Sequence, residues 1–133
     1  MAEKIQFELV SPAKLLVSAA VEMVVVPGTE GDFGALPRHA PMIATVRPGV
    51  IDVHDGGKVS NRIFVAGGFA EVTAERITVL AEEAIPVAEL TKSQAADRKR
   101  LAKVALEDAS TDRERAAAEF RMAVAVAMEA AAP

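Results

Sequence analysis

The chain changes character abruptly at Pro86. All eight glycines and every proline except the terminal Pro133 lie in residues 1–86, whereas residues 87–133 consist mainly of Ala, Glu, Lys, Arg and Leu. Glycine and proline disfavour helix, and the residues of the second group are among those that favour it most. The sequence therefore predicts two domains, a β domain over residues 1–86 and an α domain over residues 87–133.

Residues 5–86 show the pattern of antiparallel β structure. Apolar and polar residues alternate in short runs, and turn clusters such as Asp55-Gly56-Gly57 separate the runs. Repeated short strands with this spacing are typical of a β-sandwich. Strands are predicted around Ile5, Phe7 and Leu9 and at Leu15–Val26, Met42–Arg47, Val50–His54, Lys58–Val65, Phe69–Thr73 and Arg76–Ala81.

Residues 87–133 contain two helix-start signals. Thr91-Lys92-Ser93-Gln94 and Thr111-Asp112-Arg113-Glu114 both fit the capping box, in which a hydroxyl and a side chain three residues later satisfy each other's backbone N–H groups. We therefore predict an antiparallel hairpin of two helices, from about Lys92 to Glu107 and from about Asp112 to Ala130. The predicted apolar stripe of the second helix consists of Ala117, Phe120, Val124, Ala127, Met128 and Ala131.

Composition and spacing argue against catalysis and against several ligands. The net charge of −4 and the absence of Trp and Tyr disfavour nucleic acid as a partner. The chain has no cysteine, and its two histidines, His39 and His54, have no second histidine at ligand spacing. Gly28, Gly31 and Gly34 are not followed by the Gly-Lys-Ser/Thr of a phosphate-binding loop. The sequence therefore predicts no catalytic residue, no metal site and no cofactor.

Residues 26–41 are the segment most suited to contact a partner. Three glycines recur there at a spacing of three, three prolines bracket them, and Glu30 and Asp32 add negative charge. Glycine admits backbone angles closed to other residues and proline fixes φ, so the segment is expected to have a defined shape. Loops of this kind frequently carry binding residues.

Several motifs occur together in the first domain. They are Val10-Ser11-Pro12, Val26-Pro27-Gly28-Thr29-Glu30-Gly31-Asp32-Phe33-Gly34, His39-Ala40-Pro41, Pro48-Gly49, Gly67-Gly68-Phe69-Ala70-Glu71-Val72 and Val79-Leu80-Ala81-Glu82. In this order, and with a two-helix tail behind them, they resemble the epsilon subunit of bacterial F-type ATP synthases. The resemblance covers about Ile5–Pro86.

The resemblance implies a fold and a role. The fold would be a flattened antiparallel β-sandwich of about ten strands, followed by a C-terminal antiparallel two-helix hairpin. The role would be that of a non-catalytic central-stalk subunit that couples rotation of the c-subunit ring to the gamma subunit and the catalytic head. It would act at the cytoplasmic face of the bacterial inner membrane, with membrane association only through the complex.

The resemblance also implies site residues in the first domain. Glu30 and Asp32 would form an acidic tip that contacts the polar loops of the c ring, where charge-assisted hydrogen bonds would fix orientation. Ser11, His39 and Met42 would belong to the face that contacts the gamma subunit. These five positions are the candidate partner-binding residues of the sandwich.

The chain departs from the family at other positions. Arg38 stands where the family often has glycine, so the turn before His39 is expected to be reshaped. Members that bind ATP open the first helix with Asp-x-x-Arg-Ala, to which Glu89 and Lys92 correspond loosely, and lysine lacks the bidentate fork of arginine. In the second helix Arg121 matches a basic position but Ala125 stands at the next one. These departures imply weak or absent ATP binding and weak inhibition of ATP hydrolysis.

Two other functions stay open from the sequence. The hairpin would be an ATP-sensing autoinhibitory regulator if it bound ATP and extended to the alpha and beta subunits. The sandwich would be an unrelated binding module with a helical tail if it bound neither gamma nor the c ring.

Overall fold

The computed structural model describes residues 3–133, and Met1 and Ala2 of the predicted first domain lie outside this range. The chain divides into two compact units, one ending at Pro86 and the other spanning Val87–Pro133. The first unit is a β-sandwich and the second contains two helices, so the predicted fold class is confirmed.

Eight strands build the first unit. They are β1 (Ile5–Val10), β2 (Leu15–Val21), β3 (Met23–Gly28), β4 (Gly31–Ala35), β5 (Met42–Asp55), β6 (Lys58–Val72), β7 (Arg76–Ala81) and β8 (Ala84–Pro86). They form one hydrogen-bonded sheet in the order β2-β1-β7-β6-β5-β3-β4, with β8 paired to β6. The β1–β7 pair is parallel and the other pairs are antiparallel.

Strands β5 and β6 are much longer than predicted, with 14 and 15 residues. Each spans two predicted strands, because the turn signals Pro48-Gly49 and Gly67-Gly68 interrupt neither strand. The antiparallel register is the same on both sides of these signals, with Pro48 opposite Ala66. The strand count is therefore eight, and it would be the expected ten if each of these two strands were counted as two.

The face of the β5–β6 pair that points to the core changes where these signals lie. In β5 the buried core residues are Val46 on one side and Ile51 on the other, and in β6 they are Val65 and Ala70. Successive side chains of a strand point to opposite faces, so the inward residues of a regular strand are all even-numbered or all odd-numbered. In β5 and β6 the inward residues instead change from one set to the other. The pair turns its other face inward there, so its two halves lie in opposite layers. Strands β1, β2 and β7 extend one layer, and β3, β4 and β8 extend the other.

The core between the layers is apolar, and no polar or charged side chain is buried in residues 3–133. Fully burying a side chain the size of Val, Ile, Leu or Phe stabilises a fold by about 1.5–3 kcal/mol. Both layers contribute such side chains. The most buried members are Ile5, Phe7, Leu9, Val24, Val26, Ile51, Val65, Ile77 and Val79.

Gly68 is the residue that allows β6 to change layers. Its φ is +142°, a region that side-chain-bearing residues rarely adopt. A Cβ at this position would lie 1.9 Å from the carbonyl oxygen of Leu80 in β7, so the neighbouring backbone occupies the space of a side chain. The backbones of β6 and β7 therefore approach each other closely at the Gly-Gly motif.

We expect Gly68→Ala to destabilise the sandwich by more than about 2 kcal/mol, because it combines an unfavourable φ with a backbone clash. Gly56→Ala is the matched control, since Gly56 also has a positive φ but has open space where the Cβ would be. Chemical unfolding of both variants measures the difference. Equal losses of stability would show that the close approach to Leu80 is unimportant.

Two further elements differ from the predicted strands. The run Leu15–Val26 is divided at Glu22, whose carboxylate accepts a hydrogen bond of 2.9 Å from the Gly57 N–H and whose own N–H donates to the His54 carbonyl. The predicted loop over residues 26–41 contains the ends of a hairpin, because β3 pairs with β4 up to Gly28 opposite Gly31. The first difference comes from hydrogen bonds to residues far along the chain, and the second from pairing within a local hairpin.

The second unit begins with a short 3₁₀ helix, Val87–Glu89, and continues with α1 (Lys92–Asp108) and α2 (Asp112–Ala131). Both predicted start signals are confirmed as caps. Thr91 and Gln94 form a complete capping box. Thr111 accepts from the Glu114 N–H, whereas the Glu114 carboxylate accepts from the Ser110 and Thr111 hydroxyls. These hydroxyl hydrogen bonds, with that of Ser110 first, lower the pKa of Glu114.

An alanine seam runs along the two helices, which pack against each other. Ala95 and Ala102 in α1 and Ala118 and Ala125 in α2 recur at seven-residue intervals and are at most 2% exposed. Ala102 and Ala118 are each 8 positions from Ser110, which lies in the link between the helices, and Ala95 and Ala125 are each 15 positions from it. The members of each pair therefore lie at the same level of the hairpin.

The predicted apolar stripe of α2 was partly wrong. Val124 and Met128 are buried, but Ala117 is exposed and Phe120 is 37% exposed. The seam uses Ala118 and Ala125 instead, and each step of one residue rotates a helix face by about 100°. Small side chains at the contact let two helices approach closely, which leaves the larger Phe120 at the edge.

Candidate functional site

The β3–β4 hairpin presents Glu30 at its tip. Gly28 pairs with Gly31, so Thr29 and Glu30 form the two-residue turn, and both are exposed. Gly31 has a φ of +130°, which explains a glycine at this side of the turn. The Thr29 N–H donates to the Thr45 carbonyl at 2.9 Å and fastens the turn to β5.

Arg47 of β5 braces the same hairpin, and no pattern near Arg47 predicts this contact. Its guanidinium donates to the Asp32 carboxylate at 2.6 Å and to the Gly28 carbonyl at 2.5 Å. The pair lies at the surface, with both side chains substantially exposed. Of the two acidic residues predicted for this tip, Asp32 is thus bound to a cation of its own chain, and Glu30 carries the unbalanced charge.

Arg38 and His39 occupy a tight turn after β4. Arg38 has a φ of +69°, the conformation that glycine adopts most easily, and its guanidinium forms an exposed ion pair with Glu3 at 2.6 Å. Arg38 therefore stands in the left-handed conformation, where glycine would carry less strain. Nδ1 of His39 lies 2.6 Å from the Ala40 carbonyl oxygen, and because a carbonyl only accepts, Nδ1 donates.

Ser11 and Met42 lie at strand ends, because Ser11 directly follows β1 and Met42 begins β5. Ser11 opens the β1–β2 turn, where its N–H donates to the Lys14 carbonyl at 2.9 Å. Met42 is the first residue of β5, pairs with Val72 and packs partly buried against the core. No hydrogen bond within residues 3–133 joins Ser11 to Met42. Each of them is next in sequence to a residue on one outer surface of the sandwich.

That surface is an apolar row across four strands. Phe69 pairs with Leu80, Leu80 with Val10, and Val10 with Leu15, so the four side chains are cross-strand neighbours on the outer face. Phe69, Leu80 and Leu15 are all more than half exposed. We call Val10, Leu15, Phe69 and Leu80 the apolar row. On the β5 side of the row Thr45 lies opposite Phe69, and Ile43, two positions before Thr45, is 75% exposed.

An acidic row runs beside the apolar row. Ile43 pairs with Glu71, Glu71 with Thr78, and Thr78 with Glu8. The carboxylates of Glu71 and Glu8 therefore lie on the same outer face as the apolar row, two residues farther along their strands. Glu8 forms an ion pair with Arg76 at 3.0 Å. The outer face of this layer is therefore apolar on one side and acidic on the other.

The positions that correspond to the ATP motif lie apart in the hairpin. Glu89 ends the 3₁₀ helix, and Lys92 begins α1, where its ammonium donates to the Glu129 carbonyl of α2 at 2.7 Å. Lys99 also binds Glu129, through its carboxylate at 3.3 Å. Arg121 precedes Glu129 by 129 − 121 = 8 residues, which is about 12 Å along a helix. Lys92 and Arg121 therefore do not converge on one position.

Other kinds of site find no support in the part of the chain that the structure describes. No group of three His, Cys, Asp or Glu side chains there is arranged to hold a metal ion. None of the helices over residues 3–133 combines the length and the apolar character that a membrane span requires.

Comparisons with known proteins agree with the motifs. The family model of the ATP synthase delta/epsilon chain β-sandwich domain matches residues 4–87. An ATP synthase epsilon chain of Paramagnetospirillum magneticum is 74% identical over 131 residues, which are 98% of each chain. This chain belongs to the ATP synthase epsilon chain family. A second member, from Rhodospirillum rubrum, is 57% identical over 131 residues and 98% of each chain.

Solved structures share the fold. A chain of the Euglena gracilis mitochondrial ATP synthase, in a structure of OSCP, F1 and c-ring, superposes with a TM-score of 0.81 at 22% identity, covering 98% of this chain and 82% of that one. A chain of the Tetrahymena thermophila mitochondrial ATP synthase, in a structure of the central stalk and c-ring, has a TM-score of 0.72 at 14% identity over 99% and 98%. At these identities the likeness shows the fold alone.

Proposed function

We propose that this chain is a non-catalytic central-stalk subunit of a proton-translocating F-type ATP synthase, and that it couples c-ring rotation to the gamma subunit and the catalytic head. The observation that carries the proposal is the apolar row with its acidic border. A soluble domain rarely leaves several large apolar side chains side by side on a sheet unless a partner covers them.

The apolar row would be the gamma-binding surface. Ser11 follows Val10 of the row directly in sequence, and Met42 precedes Ile43 at its other side. Ser11 thus borders the row, whereas Met42 packs against the core beside Ile43, and His39 lies three positions before Met42. An interface with an apolar centre and a charged rim is the usual arrangement, and the carboxylates of Glu8 and Glu71 would suit a basic rim on gamma.

We expect the double variant Phe69→Ala, Leu80→Ala to bind a catalytic head containing gamma at least about 30-fold more weakly, because central apolar anchors contribute most of the binding energy of an interface. Val59→Ala is the control, since Val59 is an exposed apolar residue of β6 outside the row. Titration of the heads, freed of their own epsilon subunit, gives both affinities. Unchanged binding by the double variant would contradict the proposed gamma surface.

The β3–β4 hairpin would be the c-ring contact, with Glu30 as its charged group. Arg47 and the Thr29–Thr45 hydrogen bond fix the hairpin to β5, so a force on Glu30 would pass into the sandwich. Asp32 would contribute mainly by holding Arg47 in place. A rigid mount matters here because a contact that transmits rotation works only if its support does not yield.

Charge reversal at the tip should impair coupling. We expect Glu30→Lys to lower proton pumping per ATP hydrolysed by at least about twofold, because a like charge facing a basic group opposes contact. Glu82→Lys makes the same change at an exposed residue elsewhere on the sandwich. Membrane vesicles carrying the assembled complex give both rates. A full pumping ratio with Glu30→Lys would count against a ring contact at this residue.

The helical hairpin, residues 87–133, would inhibit ATP hydrolysis weakly at most, and ATP would not be its ligand. Lys92 is already engaged by the C-terminal end of α2, and Arg121 lies about two turns away. No lysine or arginine follows Arg121 in the chain. The C-terminal end of an extended α2 would therefore bring little positive charge to the alpha and beta subunits.

Truncation after Pro86 tests this role. We expect ATP hydrolysis by the complex to rise less than about twofold when residues 87–133 are removed, because the C-terminal end of α2 lacks the positive charge for a strong inhibitory contact. The truncated chain must remain bound, which quantifying it in the purified complex verifies. An increase of several-fold would show that the hairpin is an inhibitor, and isothermal titration with ATP would then decide whether ATP controls it.

A further inference from the structure

A slot opens beside the first residues of β5. It has a volume of about 460 Å³ and lies between the strand Met42–Thr45 and the tip of the β3–β4 hairpin. Phe33 and Met42 supply apolar walls, and Glu30 and Asp32 are on its rim. Four residues of extended strand span about 13 Å, so the slot can take a short stretch of extended chain.

One side of the slot is an unpaired strand edge. The Thr45 carbonyl accepts from Thr29, so the backbone of Thr45 points away from β6. Alternate residues of a strand point their N–H and C=O groups to the same side, and Ile43, two positions earlier, therefore faces the slot. The β3–β5 ladder ends at Gly28 opposite Val46, and no strand within residues 3–133 reaches Ile43 from this side.

We propose that an extended, basic segment of a partner protein enters this slot and pairs with Ile43 as an added β-strand. Strand addition at a free edge is an established way of recognising extended chains, with backbone hydrogen bonds as the main contacts. Ile43 would exchange both an N–H and a C=O bond with the segment. The carboxylate of Glu71, which lies opposite Ile43 in the sheet and has no cation partner in the described residues, gives the segment its preference for a basic side chain.

The occupant would belong to the same partner that covers the apolar row, and in this respect the inference rests on the proposed function. Ile43 joins the two surfaces, because its side chain is 75% exposed beside the row while its backbone faces the slot. A partner that covers the side chain reaches the edge without a second docking site. A second copy of this chain is the competing occupant, since free edges also pair with each other.

Hydrogen exchange of the Ile43 amide tests the pairing directly. The exchange is run on the free chain and on the assembled complex, followed by quenching and residue-resolved detection. We expect the Ile43 amide to exchange at least about 100-fold more slowly in the complex, because it gains a hydrogen-bond acceptor there. Equal rates in the two states would overturn the proposal. Protection in the free chain that grows with its concentration would also overturn it, in favour of self-pairing.

A pair of variants separates the backbone from the side chain. Ile43→Pro and Ile43→Ala both remove the isoleucine side chain, but only proline removes the N–H, and this N–H makes no bond within the sheet. We expect Ile43→Pro to bind the gamma-containing catalytic head at least about 10-fold more weakly than Ile43→Ala. Circular dichroism verifies folding, and the exchange experiment on the unmodified chain decides the matter if the proline variant does not fold. Equal binding by the two variants would overturn the proposal.

The two proposals fail in different ways. If Phe69→Ala, Leu80→Ala weakens binding while the Ile43 amide stays unprotected, the gamma surface stands and the strand addition is wrong. If the double variant binds normally and the amide is unprotected, both are wrong.

Discussion

The register of β5 and β6, which is constant from Met42 to Val53, is the constraint on which the rest of the sandwich depends. A slip of one residue would turn every following side chain of the pair to the other face. Register is preserved even where the pair turns its other face to the core, and the space at Gly68 makes this possible because the Leu80 carbonyl lies where a side chain would otherwise be. The core residues of both layers are therefore positioned by the pairing of β5 with β6.

The same register positions the surfaces. Because Ala70 and Val72 point inward, Phe69 and Glu71 must point outward, and β7 and β1 extend this alternation into an apolar and an acidic row. It also sets which backbone groups of β5 face β6, and so leaves those of Ile43 facing the slot. The proposed gamma surface and the proposed strand addition are two consequences of one pairing. A change that slipped β5 against β6 would abolish both together with the core.

The features that the sequence predicted correctly are local ones. Helix starts at Thr91 and Thr111 could be predicted because a cap forms between residues three positions apart. The change to helix after Pro86 was visible because composition acts on each residue separately. Alternating runs and turn signals predicted the sandwich in the same way, whereas the roles of Glu30 and Ser11 came from the family motifs and stay predictions.

The features that the sequence did not predict depend on distant partners. Pro48-Gly49 has the same local appearance in a turn and within a continuous strand, and only the pairing with β6 decides between them. Phe69 and Leu80 resemble core residues until the register places them outside. Likewise, nothing near Arg47 indicates that it binds Gly28 and Asp32, respectively 19 and 15 positions away. In each case the deciding contact joins residues that are far apart in the chain.

The two units are stabilised by different amounts, for a reason that their side chains make plain. The core of the sandwich consists of Phe, Ile, Leu and Val side chains, each contributing about 1.5–3 kcal/mol. The second unit buries few side chains of that size, such as Leu90, Val124 and Met128, and each alanine of its seam contributes one methyl group, or about 0.8 kcal/mol. The contacts of Lys92 and Lys99 with Glu129 lie at the surface, where such pairs contribute little. Alanine-rich helices nevertheless have high intrinsic helicity, and both are capped. The least costly rearrangement of the second unit is therefore separation of α1 from α2 along the seam, with each helix still formed.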